Sequence, residues 1–469
     1  MLFNSLPFLG FIILFFALWP VLKKQNSSRW LWICSMSFLF YGWWDWRFLF
    51  LLIGTGTIDY VSGYFIVRQS PRKKAWLWFS LASNIGSLLI FKYSLWLAVL
   101  LDQLFLTWGV KTHFMGSIPE FTLVLPVGIS FYTFNSMSYT IDLYKGKTQP
   151  AKNILHFFAF ISFFPHLVAG PIIRARDILQ QLATDRKTDA VEIFNGIKTC
   201  IWGLFQKMVL ADNLAVFVNQ KFKDVHGVDD AFSWWFCMLA FSFQIYFDFN
   251  GYSTIARGMA KLCGIHFRLN FNHPYLATSF GNFWQRWHIS LSSFFRDYVY
   301  IPLGGNRRKP LRNAFNRWFT MLLSGLWHGA NLTFLIWAAL HAFYLSIEKI
   351  IQQWLGRFGK NSPIFFSSLV VFIGVLIAWV FFRSASISDA LYIVKTMFSG
   401  EGLIDYKSLL VGNISIWLLI SLFIEFGSMY RHRILILKSS VTQVFLWGTI
   451  VALIIYFRGP EQQFIYFQF

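Results

Sequence analysis

Two histidines stand where histidine is uncommon. His328 lies in SGLWHGANLTFLIWAALH, a run apolar enough for the interior of a bilayer, and a polar ring at that depth must find partners or water. Taking Arg317 as the membrane edge, His328 is about 11 residues in, roughly 16 Å of helix, which is about half of the hydrocarbon thickness. A desolvated imidazole stays neutral and offers general-base or nucleophilic chemistry. His341 lies about 13 residues further on, some 20 Å along an unbroken helix and turned by roughly 140°, so it shares a site with His328 only if the chain breaks between them. Packing is the simpler role for it. The better partner is His288, in FGNFWQRWHISLSSFFRDYVYIPLGGNR. On one continuous helix Gln285, Leu291 and Ser292 fall on its face while Asp297 points away.

The elements that must hold these residues are membrane helices. Of 469 residues, 56% are hydrophobic, 20% aromatic and only 13% charged, and apolar runs of about 17 to 25 residues recur, each long enough to cross hydrocarbon. A net charge of +20 could speak for nucleic acid. The basic residues instead form short clusters between apolar runs, as the positive-inside rule expects of cytoplasmic loops, and nucleic acid is set aside. Cys34, Cys200, Cys237 and Cys263 show no C-x-x-C spacing, so neither a zinc site nor a disulfide framework is expected. The opening MLFNSLPFLGFIILFFALWP has no positive n-region and reads as a retained first span with its N-terminus outward.

Spans are predicted near 6–22, 30–43, 48–66 and 75–99, with a fifth returning to Lys145. Next, ILHFFAFISFFPHLVAGPIIRARD begins and ends at basic clusters and is broken by Pro165, Gly170 and Pro171, which predicts a re-entrant element lining a site. Spans near 190–216 and 231–249 precede a basic region, about 256–317, assigned to the cytoplasmic face. The stretch 318–347 is predicted to break and return, followed by spans near 363–383, 408–428 and 441–457. This placing keeps Arg431, Arg433 and Lys438 inside. The expected fold is an all-α polytopic membrane protein, with about ten transmembrane helices plus re-entrant and amphipathic cytoplasmic helices. Residues 1–469 form one membrane domain: N-terminal spans 1–150, a core at 151–345 and C-terminal spans 346–469.

Seven stretches in order, FYGWWDWRF, LPVGISFYTFNSMSYTIDLYKG, LVAGPIIRARDILQQL, IYFDFNGYSTIARGMAKLCGI, FWQRWHISLSSFFRDYVYIPLGGNR, SGLWHGANLTFLIWAALH and FIYFQF, resemble the membrane-bound O-acyltransferase family, in its bacterial branch of alginate O-acetylation proteins. The resemblance implies a ring of tilted helices thinned at the centre, with His328 of the W-H-G motif as catalytic residue and His288 of W-H-x-S completing the signature. His288 is then expected to orient the acyl group or to donate to the oxyanion. Residues flanking the two histidines, Trp327, Asn331, Arg286, Trp287, Ser292 and Asp297, are the expected substrate contacts. One departure is Asn250 in DFNGYS, where this branch more often has Ser; a small polar group is kept. No bound cofactor or metal is expected, and acetyl-CoA is the implied acyl donor, its phosphates drawn by Arg286, Arg296 and Arg307 to Lys309.

The implied function is transfer of acetyl from cytoplasmic acetyl-CoA across the bacterial inner membrane to an exported polysaccharide. A periplasmic or membrane-anchored esterase-like O-acetyltransferase is the expected partner, because the outward loops, about 100–120 and 217–230, are short and hold no Ser-His-Asp arrangement. Trp43, Trp44 and Trp46, and FIYFQF if it faces outward, are candidate docking residues, with an interfacial belt the simpler reading of the tryptophans. The competing class is a proton-coupled transporter or flippase, for which Asp59, Asp142 and Asp248 are candidate relays; loop or interface carboxylates are the simpler reading. Within the family, D-alanyl or lipid acyl cargo is the alternative.

Overall fold

The computed structural model describes residues 1–68, 71–184, 188–228, 230–307, 309–355, 364–399, 414–427 and 440–467, and among these there is no strand. In chain order the helices are α1 (Leu6–Leu22), α2 (Asn26–Asp45), α3 (Arg47–Val67), α4 (Lys73–Leu88), α5 (Ser94–Thr107), α6 (Glu120–Leu123), α7 (Ile129–Tyr144), α8 (Ile154–Ile161), α9 (Phe164–Leu167), α10 (Ala175–Leu182) and α11 (Ala190–Leu204). There follow α12 (Asp212–Lys223), α13 (Ala231–Leu262), α14 (Phe280–Arg286), α15 (Ile289–Phe295), α16 (Pro310–His328), α17 (Leu332–Leu355), α18 (Ile364–Arg383), α19 (Ile387–Ser399), α20 (Ile414–Gly427) and α21 (Ser440–Tyr456). Five stretches are long and apolar enough to cross a bilayer: Arg47–Val67, Lys73–Thr107, Ala190–Lys223, Leu332–Gln352 and Phe365–Arg383. Leu6–Leu22, Ile414–Gly427 and Val441–Tyr456 are shorter apolar helices. The protein is thus all-α and polytopic, as composition predicts. Arg431, Arg433 and Lys438 and the start of the span expected at 408–428 lie outside the described residues.

The chain folds as two compact units, residues 1–200 with 253–268, and 201–252 with 269–469. In the first, α3 packs on α4 and α7 around a carboxylate. Asp59 is fully buried and accepts hydrogen bonds from Ser80 Oγ (2.6 Å), from Asn84 Nδ2 (3.0 and 2.9 Å) and from Ser136 Oγ. Three helices are tied through one side chain. The expectation of loop or interface carboxylates is therefore corrected: Asp59, Asp142 and Asp248 are all buried; hydroxyl and amide donors replace water around Asp59, Lys207 Nζ and the Ile465 amide around Asp248, and the Arg176 guanidinium stands 4.0 Å from Asp142. Asp59→Ala removes the acceptor that three buried donors share; Ser80 Oγ and Asn84 Nδ2 keep Thr140 Oγ1 (2.9 Å) and the Ser80 carbonyl oxygen (3.0 Å), so the loss centres on Ser136 Oγ, at about 1–3 kcal/mol. The expected outcome is a clear fall in the melting temperature of the detergent-solubilised protein, with Asp59→Asn losing less.

The broken segment expected after Lys152 is present. Residues 156–175 are buried throughout, yet they form only the short α8 and α9 and an irregular run. Its polar backbone is satisfied from neighbours, since Phe164 N donates to Ser37 Oγ (3.0 Å) and Ile173 N to Asn135 Oδ1 (3.0 Å). Irregular backbone at this depth is stable only under such cover. Gly128, at φ 76°, precedes α7; a Cβ there would lie 2.6 Å from the Leu167 carbonyl oxygen, so only glycine lets the two segments meet.

Two boundaries differ from expectation. The span predicted to end near 249 continues as α13 to Leu262, because nearly all of residues 251–260 are buried and packing, not apolar composition, carries the helix. The long helix assumed around His288 is interrupted. Its two halves belong to the second unit, as do the histidines.

Candidate functional site

His328 is the last residue of α16 and is 2% exposed. The chain then breaks at Gly329, in extended backbone (φ −171°), and α17 returns against α16. The predicted break between His328 and His341 is therefore real. It surrounds the His328 imidazole with rings: Trp337 at 4.9 Å, Trp327 at 5.0 Å, Phe382 at 5.2 Å, Tyr466 at 5.6 Å and Phe334 at 6.4 Å between centroids. The setting is aromatic and nearly closed to solvent.

His288 lies between α14 and α15, fully buried, at φ 41° and ψ 55°. A left-handed backbone at a non-glycine residue costs energy and persists only where surroundings impose it. Here Asn270 imposes it. Ile289 N donates to the Asn270 carbonyl oxygen (2.8 Å), while Ser290 N (3.1 Å) and Ser290 Oγ (2.9 Å) donate to Asn270 Oδ1. The helical face expected for His288, with Gln285 and Ser292, does not form, because α14 stops at Arg286 and the turn reorients the ring.

That turn sets the tautomer. A backbone N–H can only donate, so the Asn270 atom facing Ser290 N is an oxygen, and His288 Nδ1, 3.2 Å from the same atom, must carry the proton. His288 Nε2 is left with its lone pair and has no hydrogen-bond partner among the described residues. Burial pushes the imidazole pKa down to about 3, so the ring is neutral across the working pH range. A neutral ring with Nε2 unprotonated accepts hydrogen bonds there and cannot donate. Of the two roles expected for His288, this tautomer suits orienting the acyl group.

The two imidazoles are linked through two other rings. Trp327 lies 5.9 Å from His288 and 5.0 Å from His328, and Tyr466 lies 6.4 Å and 5.6 Å from the same pair. Tyr466 is a residue the motifs contained but sequence reasoning did not place. FIYFQF was a docking candidate only if it faced outward; Phe464 and Ile465 are buried and Tyr466 lines the site, whereas Gln468 and Phe469 fall outside the described residues. Burial, with Asp248 adding to it, holds the Tyr466 phenol well above its ordinary pKa, so it keeps its proton.

The other expected substrate contacts also make hydrogen bonds within the fold. Asn331 caps α17, accepting from Thr333 N (3.0 Å) and donating to Ala385 O (3.0 Å). Arg286 clamps the preceding loop through Asn282 Oδ1 (2.9 Å) and Asn272 O (3.2 Å). Ser292 Oγ donates to Trp287 O (3.2 Å), and Asp297 accepts from Arg296 Nε (2.7 Å). Trp287 is core, packed against Phe271 and Trp379 at 5.0 Å each. Arg286 and Ser292 thus brace the segments on either side of His288, and Asn331 the start of α17. Only Trp327 of the six meets both histidines. His341, stacked on Phe283 (5.8 Å, 7°) and edge-on to Trp284 and Trp337 (5.0 Å each), matches the packing reading.

The fold and this buried histidine pair define a membrane acyl-transfer class, and comparison with known proteins agrees. The profile of the membrane-bound O-acyltransferase family, MBOAT, matches residues 150–388. The chain is 37% identical over 400 residues to the probable alginate O-acetylase AlgI of Pseudomonas aeruginosa, covering 83% of this chain and 74% of that one. It is 34% identical over 433 residues to the peptidoglycan O-acetyltransferase of Helicobacter pylori (86% and 79%), and 26% identical over 256 residues to the teichoic acid D-alanyltransferase of Bacillus subtilis (53% and 65%). The chain belongs to the membrane-bound O-acyltransferase family. It is an O-acyltransferase related to alginate and peptidoglycan O-acetylases.

Proposed function

We propose that this protein takes acetyl from cytoplasmic acetyl-CoA and passes it across the bacterial inner membrane for O-acetylation of an exported polysaccharide, alginate-like or another cell-surface glycan. The observation that carries the reading is the pair His328 and His288, both buried and joined through Trp327 and Tyr466. The similarity to O-acetylases extends over more of the chain, at higher identity, than the similarity to a D-alanyltransferase, which favours acetyl cargo.

In this reading His328 acts on the thioester as general base or as acyl-accepting nucleophile. As base it takes the proton of the attacking hydroxyl while the carbon–sulfur bond breaks and the thiolate leaves; as nucleophile it forms an acetyl-imidazole that the hydroxyl then attacks. Acid quenching and peptide mass spectrometry separate the two routes. His288 accepts a hydrogen bond at Nε2 and so orients an acceptor or donor N–H or O–H. His288→Ala is expected to lower kcat about 10- to 100-fold with donor KM little changed; an unchanged kcat returns His288 to packing. Because its ring stays neutral above about pH 5, His288 contributes no step to the pH–rate profile between pH 5 and 8.

The acyl group is handed to an esterase-like partner on the outer side, through the short outward loops and the exposed Trp43, Trp44 and Trp46. The test is reconstitution in vesicles with external acceptor glycan and internal acetyl-CoA, with and without a candidate partner. Acetyl-CoA cleavage with glycan acetylation only in the partner's presence is expected. Full acetylation by the chain alone removes the relay, and absence of any acetyl-CoA cleavage removes the donor.

A further inference from the structure

The second unit holds a buried ion cluster that the acyl-transfer reading leaves unused. Between α11 and α12 the helix widens into a π turn, Phe205–Ala211, and such insertions re-aim side chains. It turns Lys207 inward. Lys207 Nζ lies 2.7 Å from Asp212 Oδ1 and 2.7 Å from Asp248 Oδ1 on α13, with all three side chains at most 4% exposed. A buried ion group is a poor way to hold helices together, since apolar residues of similar volume usually serve as well or better. Its remaining hydrogen bonds suggest another use.

They go to the C-terminal segment. Lys207 Nζ also donates to the Gln462 carbonyl oxygen (3.2 Å), and Asp248 Oδ2 accepts from Ile465 N (2.8 Å). Asn219 Nδ2 reaches Gln462 Oε1 (3.3 Å), Gly459 N donates to Met208 O (2.7 Å), and Asn213 Nδ2 to Phe457 O (2.8 Å). Contacts to backbone atoms fix register, not merely proximity. One residue beyond Ile465, Tyr466 then meets Phe249 (4.5 Å), His328 (5.6 Å) and His288 (6.4 Å), while Phe464 wedges against Tyr252 (4.5 Å). A slip of a single residue would withdraw the Tyr466 ring from both histidines.

We propose that Lys207, Asp212 and Asp248 are positioning residues for acyl transfer, which lock the register of residues 462–465 and so hold Tyr466 against His328 and His288. The cluster touches no reacting atom and acts through Tyr466. The proposal rests on the reading of His328 as the group that acts on the thioester, and a separate arm of the test keeps the two apart.

The test is a double-mutant cycle on the full chain in nanodiscs, read as acetyl-CoA turnover. Asp248→Ala is expected to lower kcat about 10- to 100-fold, as a misplacement near 1 Å does, with donor KM within about twofold. In a Tyr466→Ala background the same change should add less than about a threefold loss, because the ring it positions is gone. Losses that multiply overturn the proposal. The separate arm is maleimide labelling of Phe464→Cys: Asp248→Ala should speed labelling at least about tenfold at a temperature well below the melting transition of the double variant, whatever His328 does. Labelling as slow as in the parent also overturns it. If Asp248→Ala does not fold, Asn219→Ala carries the same cycle and labelling with smaller shifts, and additivity there has the same meaning.

Discussion

Replacing His328 with alanine is expected to lower acetyl transfer at least about 10³-fold, since in the proposed mechanism it removes the group that moves the proton or takes the acyl group. Alanine alone is an ambiguous variant. The imidazole is packed by five rings, so its loss leaves a void whose cost adds to any chemical effect. His328→Phe resolves this. Phenyl keeps the aromatic contacts and the volume but has no lone pair, so the variant should insert and melt like the parent while remaining as inactive as His328→Ala. Recovery of turnover with phenylalanine would show that His328 packs and nothing more. A reduced His328→Gln activity well above that of Phe would instead point to hydrogen bonding as its contribution.

The sequence carried the helices and singled out two histidines that the fold brings to shared aromatic neighbours, and it did so for different physical reasons. Apolar runs near the bilayer's length announce themselves through hydropathy alone, and the Gly329 break was legible because glycine ends helices. The surroundings of His288 were not legible. A continuous helix through WHIS was the natural reading, and what interrupts it is Asn270, eighteen positions earlier, which takes the Ser290 amide and drives His288 to positive φ. Local propensity cannot report a contact of that range. Tyr466 was hidden in the same way: FIYFQF was a motif without a position, and its register depends on Lys207 and Asp248 far away in the chain. Arg286, Ser292 and Asn331 show what spacing alone leaves out: each polar side chain beside the histidines also braces the local backbone.

The second large effect is expected from the smallest side-chain change, Gly329→Ala. Gly329 has an extended backbone that any residue can adopt, so strain in φ is not the issue. Space is. A Cβ at this position would lie 2.2 Å from Phe334 Cε2 and 2.7 Å from its Cδ2. The Phe334 ring is 4% exposed and held edge-on by Phe382 at 5.0 Å, and Phe382 in turn packs on His328 (5.2 Å) and Trp337 (5.3 Å). Relief therefore requires either expelling Phe334 or moving the start of α17 away from the end of α16, where His328 sits. Overpacking of this kind costs about 1–3 kcal/mol, a tolerable loss for the fold. For acyl transfer, a displacement of His328 by about 1 Å costs on the order of 10²-fold. Gly329→Ala should thus express and melt within a few degrees of the parent while losing about 10²-fold in kcat. The second-site change Phe334→Leu, which removes the clashing ring edge, should recover about tenfold of that loss in the Gly329→Ala background. Near-parental kcat in Gly329→Ala, or no recovery with Phe334→Leu, would mean that the placement of His328 does not depend on this contact.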